Sequence, residues 1–380
     1  MFNQELAGEN LRIGNFTETF LPQRNGVVTS LLSFGPELVR RGHTVLIFCP
    51  KSNVQKHLGM TIQSYPSIVF RPYPEFKIAA PFFGEIPDLD IVHTHGPFSL
   101  GLLGLRVAKK QGIPKVSTFH TLLPEYVSYL TNTGKGYLEK IAWNYIRLYY
   151  NRFDAIITPS DTMRRVLKYY RVKKPVKVIP NGIDIEFFKP FEKGKARKKL
   201  DLEEGEKIFL YLGRLGHEKN VDIVIKAFTK VDAKLIIAGT GPAKDDLRKL
   251  VKDLNLGDRI TFAGFVHEKL KPLYYSAADA LVTASTSETQ GIVILEAFAC
   301  GCPTIGANSL AIAEIVKDGE NGYLFKPGNV EHLSQLLQSY EPTKKMRKNA
   351  LRTAKLYSNK KCADKLTDLY SSLMDRYKPS

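Results

Sequence analysis

Short apolar runs alternate with helical segments along most of this 380-residue chain. Two early runs are "LRIGNF" (11–16) and "TVLIFCP" (44–50); between them apolar residues recur at helical spacing, and Pro36 is expected to kink or split that helix. Similar runs follow at 90–95, 115–121, 154–160, 176–180, 207–213, 234–239, 259–266, 279–285 and 303–307. Because strands separated by helices are typical of βαβ units, the sequence predicts an α/β fold with doubly wound parallel sheets.

The stretch "NGIDIEFFKPFEKGKARKK" (181–199) separates two series of predicted strands. Its Asn-Gly pair, two prolines and basic polar run are typical of a linker. A chain of this length is also too long for one typical hydrophobic core. We therefore predict two Rossmann-like domains, residues 1–185 and 186–358, that face a central cleft, with ligands bound beyond the carboxyl ends of the strands.

The basic composition favours an anionic partner. Lys and Arg number 55 against 38 Asp and Glu, which gives a formal net charge of +17. Residues 135–177 hold eleven Lys or Arg against three acids, and residues 343–361 hold eight against none. Such a surplus suits nucleic acid, phosphorylated substrates or anionic lipid, although each run alone is typical of a solvated helix face. A nucleic-acid-binding protein is one alternative, but the aromatic residues form no recognisable RNA-binding signature.

Composition disfavours several other classes. No run of about 18 consecutive residues is apolar throughout, so no transmembrane helix is expected. The start, "MFNQELAGEN", has neither the basic nor the apolar region of a signal peptide. Four cysteines in a chain of this length do not suggest a disulfide framework. These features together predict a cytoplasmic protein.

Three loops that follow predicted strands carry candidate binding residues. Gly26 lies at a helix start, where a glycine lets the backbone approach an anion closely. Arg214 and Lys219, in "GRLGHEKN" (213–220), combine a guanidinium with an ammonium and suit a diphosphate. His120 follows the strand predicted at 115–119 and is expected to point into the cleft.

The stretch "SETQGIVILEAFACGCP" (287–303) places Glu288 and Glu296 on either side of Gly291. A helix is predicted to begin near Gly291, and its free N–H groups favour an anion. A carboxylate within an apolar helix needs a partner, because ionised side chains are seldom buried alone. A carboxylate matches the vicinal diol of a ribose, so we predict that Glu296 binds a nucleotide ribose. Glu288, nearer the phosphates, would hold hydroxyls of the sugar that they carry.

These motifs resemble those of family 4 of the retaining glycosyltransferases, which have the GT-B fold. "SETQGIVILEA" has the family's E-x7-E spacing, and the ordered set covers nearly the whole chain: "RNGVVTSL", "RRGHTV", "DIVHTHGPF", "TFHT", "DAIITPSD", "VIPNGID", "YLGRLGHEKN", "IAGTGP", "ITFAGFV" and "DGENGYLFKPGN". The resemblance implies transfer of a hexose from a UDP- or GDP-sugar, with retention at the anomeric carbon and no metal or other cofactor. It also implies that a C-terminal helix, about 359–380, crosses back to the first domain.

The same resemblance implies a role for each candidate residue. Arg214 and Lys219 would bind the diphosphate, Gly26 would meet the distal phosphate through its backbone, Glu296 would bind the ribose, and His120 would lie near the sugar. The remaining implied contacts are Glu288 with the backbone of Thr289, Gln290 and Gly291 at the sugar and diphosphate, and Gly264, Phe265 and Val266 against the base. Catalysis would be electrostatic, with positive charge stabilising the leaving group. Asn25 stands where many relatives carry glycine.

Metal-dependent alternatives rest on weaker patterns. Asp88 and Asp90 have a D-x-D spacing but precede a strand, at the edge away from the predicted cleft. His93 and His95 alternate on that strand, yet no third ligand is evident nearby. "CGC" at 300–302 lacks zinc-site spacing. We therefore predict no metal site. A sugar phosphorylase, a rival within the same fold, needs a lysine for pyridoxal phosphate that the sequence does not reveal.

The acceptor is left open between a membrane lipid and a soluble saccharide or small molecule. "TFHTLLPEYVSYL" and the segment after it resemble glycosyltransferases that act on diacylglycerol-type lipids. "YLEKIAWNYIRLYYNR" (137–152) combines Trp143 and several tyrosines with basic residues, as a helix at an anionic interface does; a core helix with one basic edge is the alternative. With the net charge, the segment favours a lipid acceptor and peripheral attachment of 135–177 to the inner face of the cell membrane.

Overall fold

The computed structural model describes residues 10–23, 25–69, 77–80, 85–120 and 135–377. The chain forms two compact units, which we call unit 1 (residues 1–182 with 359–380) and unit 2 (residues 183–358). The boundary predicted from the sequence lies between residues 185 and 186. Each unit is an α/β layer structure around its own sheet, which is mainly parallel in unit 1 and wholly parallel in unit 2.

An eight-stranded sheet forms the centre of unit 1, in the order β10-β9-β8-β7-β1-β2-β4-β3. All neighbours are parallel except β3 and β4, and β5 and β6 form a separate antiparallel pair. The strands are β1 Arg12–Phe16, β2 Thr44–Pro50, β3 Lys56–His57, β4 Met60–Tyr65, β5 Ser67–Val69, β6 Lys77–Ala79, β7 Ile91–Thr94, β8 Lys115–Thr118, β9 Ala155–Thr158 and β10 Val176–Val178.

The described helices of unit 1 are α1 Gly26–Arg40, α2 Ser99–Gln111, α3 Lys135–Tyr150, α4 Asp161–Tyr169 and α13 Asn359–Tyr377. Of the two outcomes predicted at Pro36, a kink or a split, the split does not occur, because α1 continues through this residue. Proline removes only one N–H from the helix ladder, and buried residues on both sides hold α1 on the sheet.

The C-terminal helix α13 packs against α1. Its apolar face joins the core of unit 1 through Leu366, Leu369, Tyr370 and Leu373. At the polar edge of the same contact, the Arg41 guanidinium pairs with the Asp364 carboxylate at 2.7 Å. The last helix of the chain therefore completes the layer that covers one face of the first sheet.

Unit 2 contains a six-stranded sheet, all parallel, in the order β13-β12-β11-β14-β15-β16. Its strands are β11 Ile208–Leu212, β12 Lys234–Ala238, β13 Ile260–Gly264, β14 Ala280–Thr283, β15 Thr304–Ala307 and β16 Gly322–Phe325. Its helices are α5 Lys193–Lys199, α6 Val221–Ala227, α7 Lys244–Asp253, α8 Lys271–Ala277, α9 Ile292–Ala299, α10 Leu310–Ile315, α11 Val330–Ser339 and α12 Lys344–Leu356.

The predicted linker at 181–199 is wrong in its second half. The basic run forms α5, which packs on α8. Arg197 is only 4% exposed, and its guanidinium meets the Asp279 carboxylate at 3.1 Å and the Ala277 carbonyl. A charged side chain is buried here because acceptors surround it. Among the described residues, no helix has the length and apolarity needed to cross a membrane.

Candidate functional site

The loops at the carboxyl ends of β11, β12 and β13 contact one another through their backbones. The Gly213 N–H donates to the Ala238 carbonyl at 3.0 Å, and the Gly239 N–H donates to the Gly264 carbonyl at 2.7 Å. A Cβ added to Gly239 would lie 1.8 Å from the Gly213 oxygen, so only glycine permits this approach. Loops at this edge of a parallel sheet are where α/β proteins bind ligands.

Arg214 and Lys219 both lie in the loop after β11, each paired with a carboxylate. The Arg214 guanidinium meets Glu218 at 2.9 Å, and the Lys219 ammonium meets Glu288 at 2.6 Å. All four side chains keep partial solvent exposure, between 21% and 30%. Because partly exposed ion pairs contribute little free energy of folding, an incoming anion can compete for these cations.

Glu288 belongs to the loop between β14 and α9, which is tied to the β11 loop. Besides the Lys219–Glu288 pair, the Asn220 amide donates to the Ala284 carbonyl at 3.2 Å. Gly291 then takes a left-handed conformation, with φ of 76°, directly before α9. Gln290 is buried and Thr289 is partly exposed at this turn. The structure therefore brings Lys219, Glu288 and the start of α9 together.

Glu296 is the fifth of the eight residues of α9 and is 4% exposed. The Tyr275 hydroxyl donates to one carboxylate oxygen at 2.7 Å, and the Lys271 ammonium lies 3.3 and 3.5 Å from the two oxygens. Burial raises the pKa of Glu296, while Lys271 and Tyr275 oppose that rise. From the sequence, a ribose was predicted as the partner of Glu296, and neither of these contacts was predicted. The spacing of Lys271 and Tyr275, four residues apart on one helix, was the signal available.

β13 ends at Gly264, and of the next two side chains Phe265 is exposed and Val266 is buried. Gly264 has φ of +70°, which favours glycine. Phe265 is 67% exposed, whereas Val266 lies in the core of unit 2. A bare aromatic ring at this edge of the sheet is available to stack on a flat ligand group.

Gly26 begins α1 in unit 1. Apart from its chain neighbours and the backbone of its own helix, no atom of the described residues lies within 4 Å of the position that its Cβ would take. Asn25 caps this helix: its side-chain oxygen accepts from the N–H groups of Val27 and Val28, both at 3.1 Å. Asn25 thus has a defined role in shaping this loop. Arg24, beside it in the sequence motif, lies outside the described residues, as do 121–134.

His120 lies two residues beyond β8, next to His95, which follows β7. His95 Nδ1 and His120 Nε2 are 3.0 Å apart, and the rings stack. No third ligand near His93 and His95 was evident from the sequence; the structure places His120 there, since β7 and β8 are neighbours. No cluster of three or more potential metal ligands suited to a metal ion occurs in the described ranges.

The other polar patterns have structural explanations. Asp90 accepts the Arg12 backbone N–H at 2.6 Å, which fixes the entry to β1. The four cysteines are free and buried. Burial raises the pKa of the Cys302 thiol to about 12, so this thiol stays protonated and a poor metal ligand.

Comparison with known proteins identifies the family. Residues 24–187 match "Glycosyltransferase Family 4" and residues 192–356 match "Glycosyl transferases group 1". The chain is 35% identical to alpha-monoglucosyldiacylglycerol synthase of Streptococcus pneumoniae, over 91% of this chain and 82% of that protein. This chain belongs to family 4 of the glycosyltransferases. The synthase of the same name from Acholeplasma laidlawii is a further family 4 relative, at 30% identity over 96% of this chain and 98% of that one.

Solved structures support the same assignment at the level of the fold. The Anabaena protein HepE, solved with UDP, superposes with a TM-score of 0.77 at 20% identity, covering 96% of this chain and all of that one. The predicted GT-B fold is confirmed, and so is the prediction that the chain is a glycosyltransferase of family 4.

Proposed function

We propose that this glycosyltransferase moves a hexose, with retention, from a UDP- or GDP-sugar to a hydroxyl group of a membrane lipid. The named activity of its curated relatives, alpha-monoglucosyldiacylglycerol synthase, supports a diacylglycerol-type acceptor. The UDP in the HepE structure supports a nucleotide donor. The observation that carries the acceptor proposal is a solvent-exposed apolar stripe on α3.

The donor diphosphate would take over the cations that now face carboxylates. Arg214 and Lys219 would turn from Glu218 and Glu288 to the phosphates, because a diphosphate carries more charge than one carboxylate. Glu288 would then be released toward sugar hydroxyls, with the Thr289–Gly291 backbone beside it. Glu296 would bind the ribose, and Phe265 would face the base together with its neighbours Gly264 and Val266. Gly26 would contact the distal phosphate, and His120 would lie near the sugar.

The chemistry that follows is electrostatic. As the bond between the anomeric carbon and the phosphate oxygen breaks, negative charge grows on the phosphate and positive charge on the sugar. Arg214 and Lys219 stabilise the phosphate, and we propose that no metal is needed for this. The acceptor oxygen bonds to the anomeric carbon, and the departing phosphate takes its proton.

Calorimetric titration with UDP and GDP tests the donor site. Arg214→Ala and Lys219→Ala are each expected to weaken binding by about 1–3 kcal/mol, the worth of a charge-assisted hydrogen bond. Lys234→Ala is the matched control: it also removes a salt-bridged lysine, but from the amino end of β12. Binding as tight as that of the wild type in the two site variants would contradict the assignment. The tighter of the two nucleotides identifies the base.

A row of apolar side chains on α3 faces solvent. Tyr137, Leu138, Ile141, Tyr145 and Leu148 recur at helical spacing, and each is between 36% and 71% exposed. From the sequence, Trp143 and its neighbouring tyrosines were predicted to lie at an anionic interface. That is wrong for Tyr149 and Tyr150, which are buried, and Trp143 stacks on Tyr170 with ring centroids 3.5 Å apart. The exposed face of α3 is thus aliphatic and tyrosine-rich, as expected of a helix that lies in a lipid interface.

Basic residues flank this stripe. The Lys173 N–H donates to the Asn151 side chain at 2.7 Å, so the turn after α4 lies against the end of α3. That turn carries Arg171, Lys173 and Lys174, all exposed. Each cation near an anionic surface contributes about 1 kcal/mol, so this turn and the stripe together suffice for peripheral attachment. We propose that this surface binds the inner face of the cell membrane, with the protein otherwise cytoplasmic.

Co-sedimentation with anionic and neutral vesicles tests this surface. We expect binding to anionic vesicles that weakens with salt. Ile141→Ser with Leu148→Ser should lower binding strongly, and Lys173→Glu with Lys174→Glu should lower only the anionic preference. Lys344→Glu with Lys345→Glu, an equal change of charge on the exposed start of α12 in unit 2, is the control.

A screen of acceptors with labelled nucleotide sugar completes the test. Transfer to diacylglycerol-type lipid in vesicles is expected. Transfer only to water-soluble sugars, or equal partitioning to neutral and anionic vesicles, would contradict the lipid proposal and favour the soluble acceptor. We propose no nucleic-acid partner.

A further inference from the structure

Three histidines form two short hydrogen-bonded chains in unit 1; His93 and His95 are buried, and His120 is partly buried. In the first chain, Asn15 Oδ1 lies 3.1 Å from His95 Nε2, and His95 Nδ1 lies 3.0 Å from His120 Nε2. In the second, His93 lies between the Tyr370 hydroxyl of α13 at 2.7 Å and the Thr118 hydroxyl at 2.6 Å. The His93 and His95 rings stack with centroids 4.2 Å apart.

All three imidazoles are neutral near pH 7. Burial lowers the pKa of His93 and of His120 to about 3, and lowers that of His95 well below its ordinary value. Each ring would also repel a positive charge on its neighbour. A neutral imidazole carries one N–H donor and one lone-pair acceptor, so the hydrogen-bond partners decide which nitrogen holds the proton.

The donor and the acceptor of each hydrogen bond in the first chain can then be assigned. Asn15 Oδ1 only accepts, so His95 donates to it from Nε2. The proton of His95 is then on Nε2, which leaves Nδ1 as an acceptor, and His120 must donate to it from its own Nε2. We propose that Asn15 and His95 are positioning residues that hold His120 in the tautomer with its proton on Nε2 and its lone pair on Nδ1.

The proposal deepens the proposed function, on which it rests for the role of His120 near the sugar. With its proton committed to His95, His120 meets any further partner as an acceptor at Nδ1. It would therefore select a donor sugar whose hydroxyl at this position donates a hydrogen bond. Neither Asn15 nor His95 would touch the substrate; they act through the ring that does.

Nitrogen-15 NMR of histidine-labelled protein reads the tautomer directly. Long-range proton–nitrogen correlations distinguish the two neutral forms, and His120→Gln and His95→Gln identify the signals of each ring. The expected wild-type result is Nε2–H on both His95 and His120. A wild-type His120 protonated on Nδ1 would overturn the proposal, and this measurement needs no variant that might fold poorly.

Variants of Asn15, the first residue of this hydrogen-bonded chain, test whether it sets the tautomer of His120. Asn15→Asp keeps an acceptor and should keep the tautomer, whereas Asn15→Leu removes it and should give a mixture. Tyr370→Phe is the matched control: it removes the hydroxyl that contacts His93 and should leave the His120 signals unchanged. An unmixed Nε2–H tautomer in Asn15→Leu would show that Asn15 does not set it.

Kinetic measurements distinguish a failure of the tautomer proposal from a failure of the proposed function. Asn15→Leu should lower kcat about 10- to 100-fold, by analogy with partners that orient metal-bound histidines, with little change in KM for the nucleotide sugar. Asn15→Asp should recover most of that loss. A nucleotide-sugar analogue with fluorine in place of each hydroxyl in turn should be poor at one position, since fluorine cannot donate. Absence of transfer by wild-type protein would contradict the proposed function and leave the tautomer result standing.

Discussion

Glu18 is a buried carboxylate in the loop after β1 of unit 1, only 4% exposed. It accepts the Leu100 N–H at 2.6 Å and the Ser99 hydroxyl at 3.2 Å, at the start of α2. Burial raises its pKa from an ordinary value of 4.5 to about 7, and the hydrogen bonds only partly oppose this. The folded state therefore holds a proton that the unfolded chain releases between pH 4.5 and 7.

We expect this group to make unit 1 less stable as pH rises. Between pH 4.5 and 7 the native state binds more protons than the unfolded state, so the free energy of unfolding falls through that window, by about 3 kcal/mol for this group. Urea denaturation at pH 5 and pH 8, followed by fluorescence of Trp143, the single tryptophan, reports unit 1 alone. Glu18→Gln should remove this dependence, and Glu341→Gln, an exposed carboxylate, should retain it. Equal slopes in both variants would contradict the prediction.

Tyr275 supports the buried carboxylate of Glu296. Tyr275→Phe leaves that carboxylate short of one donor, which should destabilise its surroundings by about 1–3 kcal/mol. Hydrogen exchange of the α9 amides, measured by mass spectrometry, should quicken accordingly. Tyr274→Phe removes the neighbouring hydroxyl and serves as the control; equal exchange in the two variants would show that the contact contributes nothing.

Spacing along the sequence identified residues but not their partners. The separation of Glu288 from Glu296 indicated a site, yet the contacts of Glu296 with Lys271 and Tyr275 depend on how α8 packs against α9. The His95–His120 contact was within reach, because parallel neighbouring strands bring the residues after them together. The site roles of all these residues stay predictions until a donor is bound.

At the level of elements, α13 should behave as part of unit 1 although it follows unit 2 in the chain. Leu366 is 1% exposed in the core of that unit. Leu366→Ala should lower the free energy of unfolding of unit 1 by about 2–5 kcal/mol, as other buried leucines do. Leu356→Ala, ten residues earlier but 56% exposed, should change it little. The Trp143 fluorescence transition in urea measures both, and an unchanged midpoint for Leu366→Ala would contradict this placement.

Strands were predicted well where apolar residues run without interruption. β11, β12 and β14 are such runs, because both faces of a central parallel strand are covered. β16 at the sheet edge and the short pair β5–β6 were missed, since brief or partly polar strands leave no clear pattern. α5 was missed because its helix is held by Arg197 and Asp279 rather than by an apolar face.

For the whole molecule, we expect transfer activity to persist in excess EDTA. The proposed mechanism assigns stabilisation of the leaving diphosphate to Arg214 and Lys219, so removing divalent ions should not change kcat. Transfer of labelled sugar with and without chelator measures this. Loss of activity that Mg²⁺ or Mn²⁺ restores would contradict this mechanism and favour a metal site at Asp88 and Asp90.

The return of α13 to unit 1 has a consequence during synthesis on the ribosome. The first 182 residues emerge before unit 2, but the helix that completes their core follows all of it. At about 5–20 residues per second, the roughly 175 intervening residues take about 10–35 seconds to translate. Throughout that time the apolar surface of α1 that α13 will cover is open to chaperones or to other nascent chains. A circular permutant that places α13 before β1 would remove the delay between the synthesis of α1 and that of α13. It should therefore raise the yield of folded protein from cell-free translation without chaperones.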